Sequence, residues 1–99
     1  MSNFPLGNWK NKNGTKDRSC KCGSWKQHWM NNSGRSWPIF CSVEGCTNFA
    51  TLGAHVYNPD VSGEKIIPMC ESCNKLSGAF SIKATTVPVS ANKSETCER

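Results

Sequence analysis

The sequence predicts a small α+β domain held together by its cysteines more than by a large apolar core. Three observations predict it. The chain has 99 residues, room for one domain and little else. Val, Ile, Leu and Phe together supply only 16 of them, under the roughly 20% below which a chain is too poor in large apolar groups to fold unaided. Seven cysteines are the natural supplement, because small domains with thin cores are stapled by disulfides or by a structural metal.

The elements follow in order along the chain. Residues 1–19, MSNFPLGNWKNKNGTKDRS, are polar, rich in Asn and Lys, and show neither helical nor strand periodicity. They read as a flexible basic arm, which leaves 20–99 as the single metal-binding domain. Ser24 is placed to cap a short helix that sets Trp25 and Trp29 four residues apart on one face and stops by Ser33-Gly34. In TLGAHVYN, strand alternation puts Leu52, Ala54 and Val56 on one side and Thr51, Gly53, His55 and Tyr57 on the other. The turn formers of NPDVSGEK then connect this strand to a second one, KIIPMC, giving a hairpin. Glu71 to about Phe80 reads as two or three helical turns closed near Gly78. The β-branched SIKATTVPVSA predicts one or two further strands before Cys97.

The cysteines carry the strongest chemical signal. Their odd number rules out complete internal pairing, and the N-terminal stretch has no apolar run of signal-peptide length. A reducing, cytoplasmic setting is therefore expected, and no segment approaches the roughly 20 apolar residues of a membrane span. Cys41-x4-Cys46 and Cys70-x2-Cys73 are two close thiol pairs separated by 23 residues. Tetrahedral Zn²⁺ requires such an arrangement, each pair bending around the ion while the intervening hairpin brings the pairs together. Binding of this kind is worth about 10 to 16 kcal/mol in small zinc modules. A knuckle with the first pair, a hairpin, and a helix whose first turn holds the second pair make up a treble clef. Cys20, Cys22, His28 and Cys97 form a second candidate set, which would raise the zinc content from one to two. Alternatively, Cys22 packs beside Trp25, Cys20 and Cys97 stay free, or His55 competes as a fourth ligand.

Residues 41–76 resemble the cysteine-rich form of the HNH endonuclease family, in which a Cys pair precedes a strand bearing a histidine and IIPMCESCNK carries the second pair into the metal-site helix. The resemblance implies that His55 falls at the water-activating base and Asn74 at a ligand of a catalytic Mg²⁺. Ala54 stands where an Asp or His ligand normally precedes the base, and Lys65, or Glu64 one residue earlier, stands near the family's central Asn. A methyl group cannot bind a metal, and a lone neutral Asn is a weak anchor for Mg²⁺. Asp60 and Glu64 in the hairpin are the nearest alternative carboxylates. SCKCGSWKQHW, GAHV, IIPMC and SANKSETC are also similar to segments of a small family of uncharacterised bacterial and phage proteins, which adds no activity.

Charge points to partners. The formal charge is +5, and seven of the 12 Lys and Arg fall in residues 1–35 against Asp17 alone. Lys10, Lys12, Lys16, Arg18, Lys21 and Lys26 interleave with Trp9, Trp25, Trp29 and Trp37, the composition of a surface that holds phosphates and stacks on bases. In so thin a core, Trp25, Trp29 and Trp37 also serve packing, whereas Trp9 in the arm is left for other uses. The expected role is binding, to nucleic acid first and to a protein second. The rivals are an HNH-type nuclease using His55, and a phage-type interaction or inhibitor protein whose zinc serves only the fold. No glycine-rich phosphate loop is present, and two histidines give a Ser-His-Asp triad nothing specific to rest on.

Overall fold

The computed structural model describes residues 4–12 and 24–91. In chain order the elements are β1 (Lys10–Asn11), α1 (Trp25–Ser33), β2 (Leu52–Asn58), β3 (Val61–Met69), α2 (Glu71–Asn74) and β4 (Val89–Ser90). The strands form one antiparallel sheet in the order β1-β2-β3-β4, and the α+β class holds. The centre of the sheet is the hairpin read from TLGAHVYN and KIIPMC, but its second strand begins earlier than the sequence suggests: Val61 to Glu64, within the expected NPDVSGEK turn, already belong to β3, because Val61 pairs with Asn58. Ala54 lies opposite Ile67, His55 opposite Ile66, and Asn58 opposite Val61. Pro59 and Asp60 make the connection, with the Asp60 N–H donating to Asn58 Oδ1 at 2.9 Å.

Both faces of this hairpin are covered. On one, Ala54, Val56, Ile67 and Met69 pack with Trp9, Phe80, Ile82, Cys41 and Cys70. On the other, Ile66 and Val89 pack against Trp29, with Trp25, Met30 and Trp37 around them. This explains why β3 ends in the unbroken buried run Ile66, Ile67, Pro68, Met69, since a strand covered on two sides loses its polar alternation. Pro68 is tolerated because β4 pairs only with Lys65 and Ile66, so no ladder donor is required at position 68 on that side.

Helix α1 forms as its sequence directs. Ser24 accepts from the Gln27 N–H at 3.1 Å, and Gly34 ends the helix at φ 70°, its N–H bonded to the Met30 carbonyl. The helix approaches β2 very closely at Gly53, where an added Cβ would lie 2.6 Å from the Trp25 carbonyl carbon and 2.7 Å from its oxygen. Gly53→Ala is therefore expected to push α1 off the sheet and cost about 1 to 3 kcal/mol. Urea denaturation of the zinc-loaded protein checks it, and an unchanged midpoint would show that the helix does not sit where the structure puts it.

Two further sequence expectations need correction. The arm of residues 1–19 is part of the fold over residues 4–12: Lys10 and Asn11 pair with Tyr57 and Val56, and Trp9 is 0% exposed. Residues 13–19 lie outside the described residues. The second correction is α2, a single turn rather than two or three. Phe80 is needed elsewhere, exchanging both backbone hydrogen bonds with Trp9 at 2.8 and 3.0 Å. Asn11 Nδ2 meanwhile donates to the carbonyls of Cys73 and Leu76 at 2.9 and 3.0 Å, holding the chain where it leaves the helix. Long-range pairing overrides the local helical pattern of 71–80.

Candidate metal centre

The knuckle that carries the first thiol pair is a short ribbon, tied by Cys41 N–H to the Asn48 carbonyl and Ala50 N–H to the Ile39 carbonyl, both at 2.9 Å. Between them the chain reverses through Gly45 at φ 83°, a left-handed conformation that glycine adopts without a Cβ clash, and Cys46 N–H bonds the Val43 carbonyl at 3.0 Å. Cys70 enters at the end of β3 as the N-cap of α2, its sulfur accepting the Cys73 N–H at 3.4 Å. Cys73 lies in the one helical turn that follows. Cys41 and Cys70 are buried, Cys46 and Cys73 half-buried.

These four sulfurs all lie within 4.8 Å of one another, and Cys46 Sγ is 3.8 Å from Cys70 Sγ. A tetrahedral ion with Zn–S bonds of about 2.3 Å has sulfur–sulfur edges of about 3.8 Å. Four thiols with no oxygen donor among them suit Zn²⁺ rather than Mg²⁺ or Ca²⁺. The four cysteines can thus hold a zinc-type ion, the set that sequence spacing singled out. It sits on the sheet face that bears Ala54 and Ile67.

The thiols differ in how readily they ionise. Burial raises the Cys41 thiol, against opposing backbone hydrogen bonds from Val43 and Cys70. Cys73 is pushed up by burial and by sharing hydrogen bonds with Cys70, Cys46 and Cys41. Burial also acts to raise Cys70, but hydrogen bonds from the Cys73 backbone, the Cys73 thiol, Asn48 and Cys41 outweigh it and bring the group down to about 7. The Asn48 Nδ2 contact is 3.7 Å. N–H groups aimed at sulfur favour the thiolate that a metal requires.

Lys83 was not legible as part of this site. Its ammonium donates to the carbonyls of Cys41 and Cys46, both at 2.7 Å, bridging the two ends of the first knuckle. Four thiolates around a divalent ion carry a charge of about −2, so a cation on the ligand-bearing backbone offsets it. Lys83→Met is expected to keep the fold but release zinc to a chelator several-fold faster. A colorimetric zinc-transfer assay measures this; an unchanged rate would limit Lys83 to a surface role. Nothing in the sequence separates this lysine from the others, because its partners are backbone atoms more than 35 residues away.

The remaining candidates are dispersed. His55 lies on the opposite side of β2 from Ala54, paired with Ile66 under α1; it is 5% exposed, with the Trp25 ring edge-on at 4.3 Å. On that face His55 is buried while Thr51 and Tyr57 stay exposed. Ala54 is packed among the apolar side chains of the cysteine face. Asn74 closes α2, its N–H bonded to the Cys70 carbonyl at 3.1 Å. Lys65 sits over the Phe4 ring at 5.8 Å. His28 is buried beside Trp25, and its Nε2 lies 2.8 Å from the Ser90 carbonyl. A carbonyl only accepts, so Nε2 is the donor in this contact. Cys20, Cys22 and Cys97 of the second set lie outside the described residues, as do Lys16, Arg18 and Lys21. Lys10 and Lys12 are exposed on and beside β1, and Lys26 lies 5.1 Å over the Trp37 ring. Among the described residues no helix is long and apolar enough to cross a membrane. Compared with known proteins, the chain matches no family model, no curated protein and no solved structure.

Proposed function

We propose that this chain is a zinc-binding domain of treble-clef type that works as a non-catalytic binding module, with nucleic acid as its partner. The observation that carries the metal assignment is the cluster of Cys41, Cys46, Cys70 and Cys73 sulfurs within 4.8 Å. The order of knuckle, β2–β3 hairpin and a helical turn bearing Cys73 supports the treble-clef reading. The surplus of Lys and Arg in the first 35 residues, with Lys10 and Lys12 exposed, supports an anionic partner. The burial of His55 against Trp25 favours a binding role over an HNH-type reaction, since a general base must reach the water it activates.

Two measurements test the reading. Native mass spectrometry should find zinc bound to the chain, one ion for the four-cysteine site and a second only if Cys20, Cys22, His28 and Cys97 also ligate. Fluorescence anisotropy with labelled oligonucleotides should show an affinity that falls steeply with salt, and the combined Lys10→Gln and Lys12→Gln variant should flatten that dependence. Salt-independent association, or none, would sink the nucleic-acid assignment and favour a protein partner. Mg²⁺-dependent plasmid nicking that disappears in His55→Ala would revive the nuclease instead.

A further inference from the structure

The first zinc knuckle carries an apolar surface that packing does not use. Ile39, Phe40 and Phe49 are 68%, 50% and 67% exposed. Phe40 and Phe49 are cross-strand partners in the ribbon, their rings stacked at 6.3 Å with an interplanar angle of 23°. Exposed apolar groups gathered in one place mark an interaction site more often than isolated ones do. Beside them runs a cleft of about 630 Å³ whose lining includes Phe40, Ile39, Arg35, Lys83, Thr85 and Thr86 and no acidic residue.

We propose that Phe40 and Phe49 are a stacking platform for unpaired bases, and that the adjoining cleft with Arg35 and Lys83 takes the phosphates of the same single strand. This rests on the nucleic-acid reading above and names the form of nucleic acid and the place where it binds. Chemistry favours this occupant in three ways. Phe49, 67% exposed, protrudes beside Phe40, whose ring also lies 5.8 Å from the Lys83 ammonium, and exposed aromatic rings stack on planar bases. Duplex bases hide their faces in their own stack, so such a platform selects unpaired strands. The cleft is lined largely by apolar groups, with Arg35 and Lys83 among them and no carboxylate, so a phosphate backbone meets cations there and no like charge. Lys83 is held by the Cys41 and Cys46 carbonyls and over the Phe40 ring, where its charge is shared with the thiolate site, so Arg35 is the main phosphate contact. The platform is built on the same ribbon that carries Cys41 and Cys46, tied by the Cys41–Asn48 and Ala50–Ile39 backbone hydrogen bonds.

The test uses the zinc-loaded full chain, a labelled oligothymidylate and a duplex of equal length, followed by anisotropy over a salt series. The wild type is expected to prefer the single strand. Phe49→Ala should lower that affinity roughly tenfold or more with zinc content and salt slope unchanged, and Phe49→Trp should retain it and report binding by fluorescence quenching. Arg35→Gln should instead reduce the salt slope by about 0.7. The large exposure of Phe49 makes its removal tolerable to the fold, and zinc stoichiometry verifies that. Full affinity in both Phe40→Ala and Phe49→Ala, with weakening in the Lys10 and Lys12 variants, would overturn the platform while leaving nucleic-acid binding intact. Failure of the wild type to bind either oligonucleotide would overturn both.

Discussion

Cys70→Ser is expected to yield a chain that neither retains zinc nor folds cooperatively. Cys70 is the meeting point of the site: it caps α2, accepts from the Cys73 N–H, and lies 3.8 Å from the Cys46 sulfur. A zinc contribution of about 10 to 16 kcal/mol equals or exceeds the roughly 5 to 15 kcal/mol by which whole domains are stable. With so few large aliphatic residues, the apolar core has no margin to replace it. Near-UV circular dichroism of the tryptophans should collapse in this variant, and equally in the wild type treated with a strong chelator. Acidification should act in the same direction, because the metal-bound sulfurs carry no protons and falling pH returns protons to them. A variant that kept a cooperative unfolding transition without metal would show that the core alone carries the fold.

Trp9→Ala is expected to cost about 3 to 5 kcal/mol, the range for deleting a buried large aromatic. Trp9 is 0% exposed, its indole N–H donates to the Pro5 carbonyl at 2.8 Å, and its backbone is paired in both directions with Phe80. It therefore links the N-terminal segment to the loop after α2 and lies in the same cluster as Cys41, Cys70 and Ile82. Urea denaturation of zinc-loaded protein should show a large drop in midpoint, whereas Trp9→Phe should lose much less. No shift in the alanine variant would mean that residues 4–12 are not part of the folded domain.

The contrast between these two residues shows how far the sequence could be read. Cys41, Cys46, Cys70 and Cys73 were legible because a tetrahedral metal imposes spacing on a chain, and that spacing survives as a pattern in one dimension. Ser24, Gly34 and the alternation of β2 were legible for the same reason, each being a local rule of backbone geometry. Trp9 was not, because the segment around it has no period; its burial depends on partners in β2 and at Phe80, more than 40 residues on. The helical pattern of 71–80 yields one turn because Phe80 and Asn11 impose contacts that local propensity does not register. The most consequential case is TLGAHVYN. Its two faces were read correctly, but only the docking of α1 at Gly53 covers His55 and places its ring against Trp25.

The sequence by itself determined the class of domain, the hairpin, the caps of α1 and the four-thiol metal set, since these follow from composition, short-range geometry and ligand spacing. Only the tertiary structure decided that Lys10 and Asn11 join the sheet with Trp9 buried beside them, that His55 is covered, that Lys83 bridges the metal knuckle, and that Phe40 and Phe49 stay outside. Each of these depends on which distant surfaces meet, and burial is a property of the pair of surfaces in contact rather than of either segment alone.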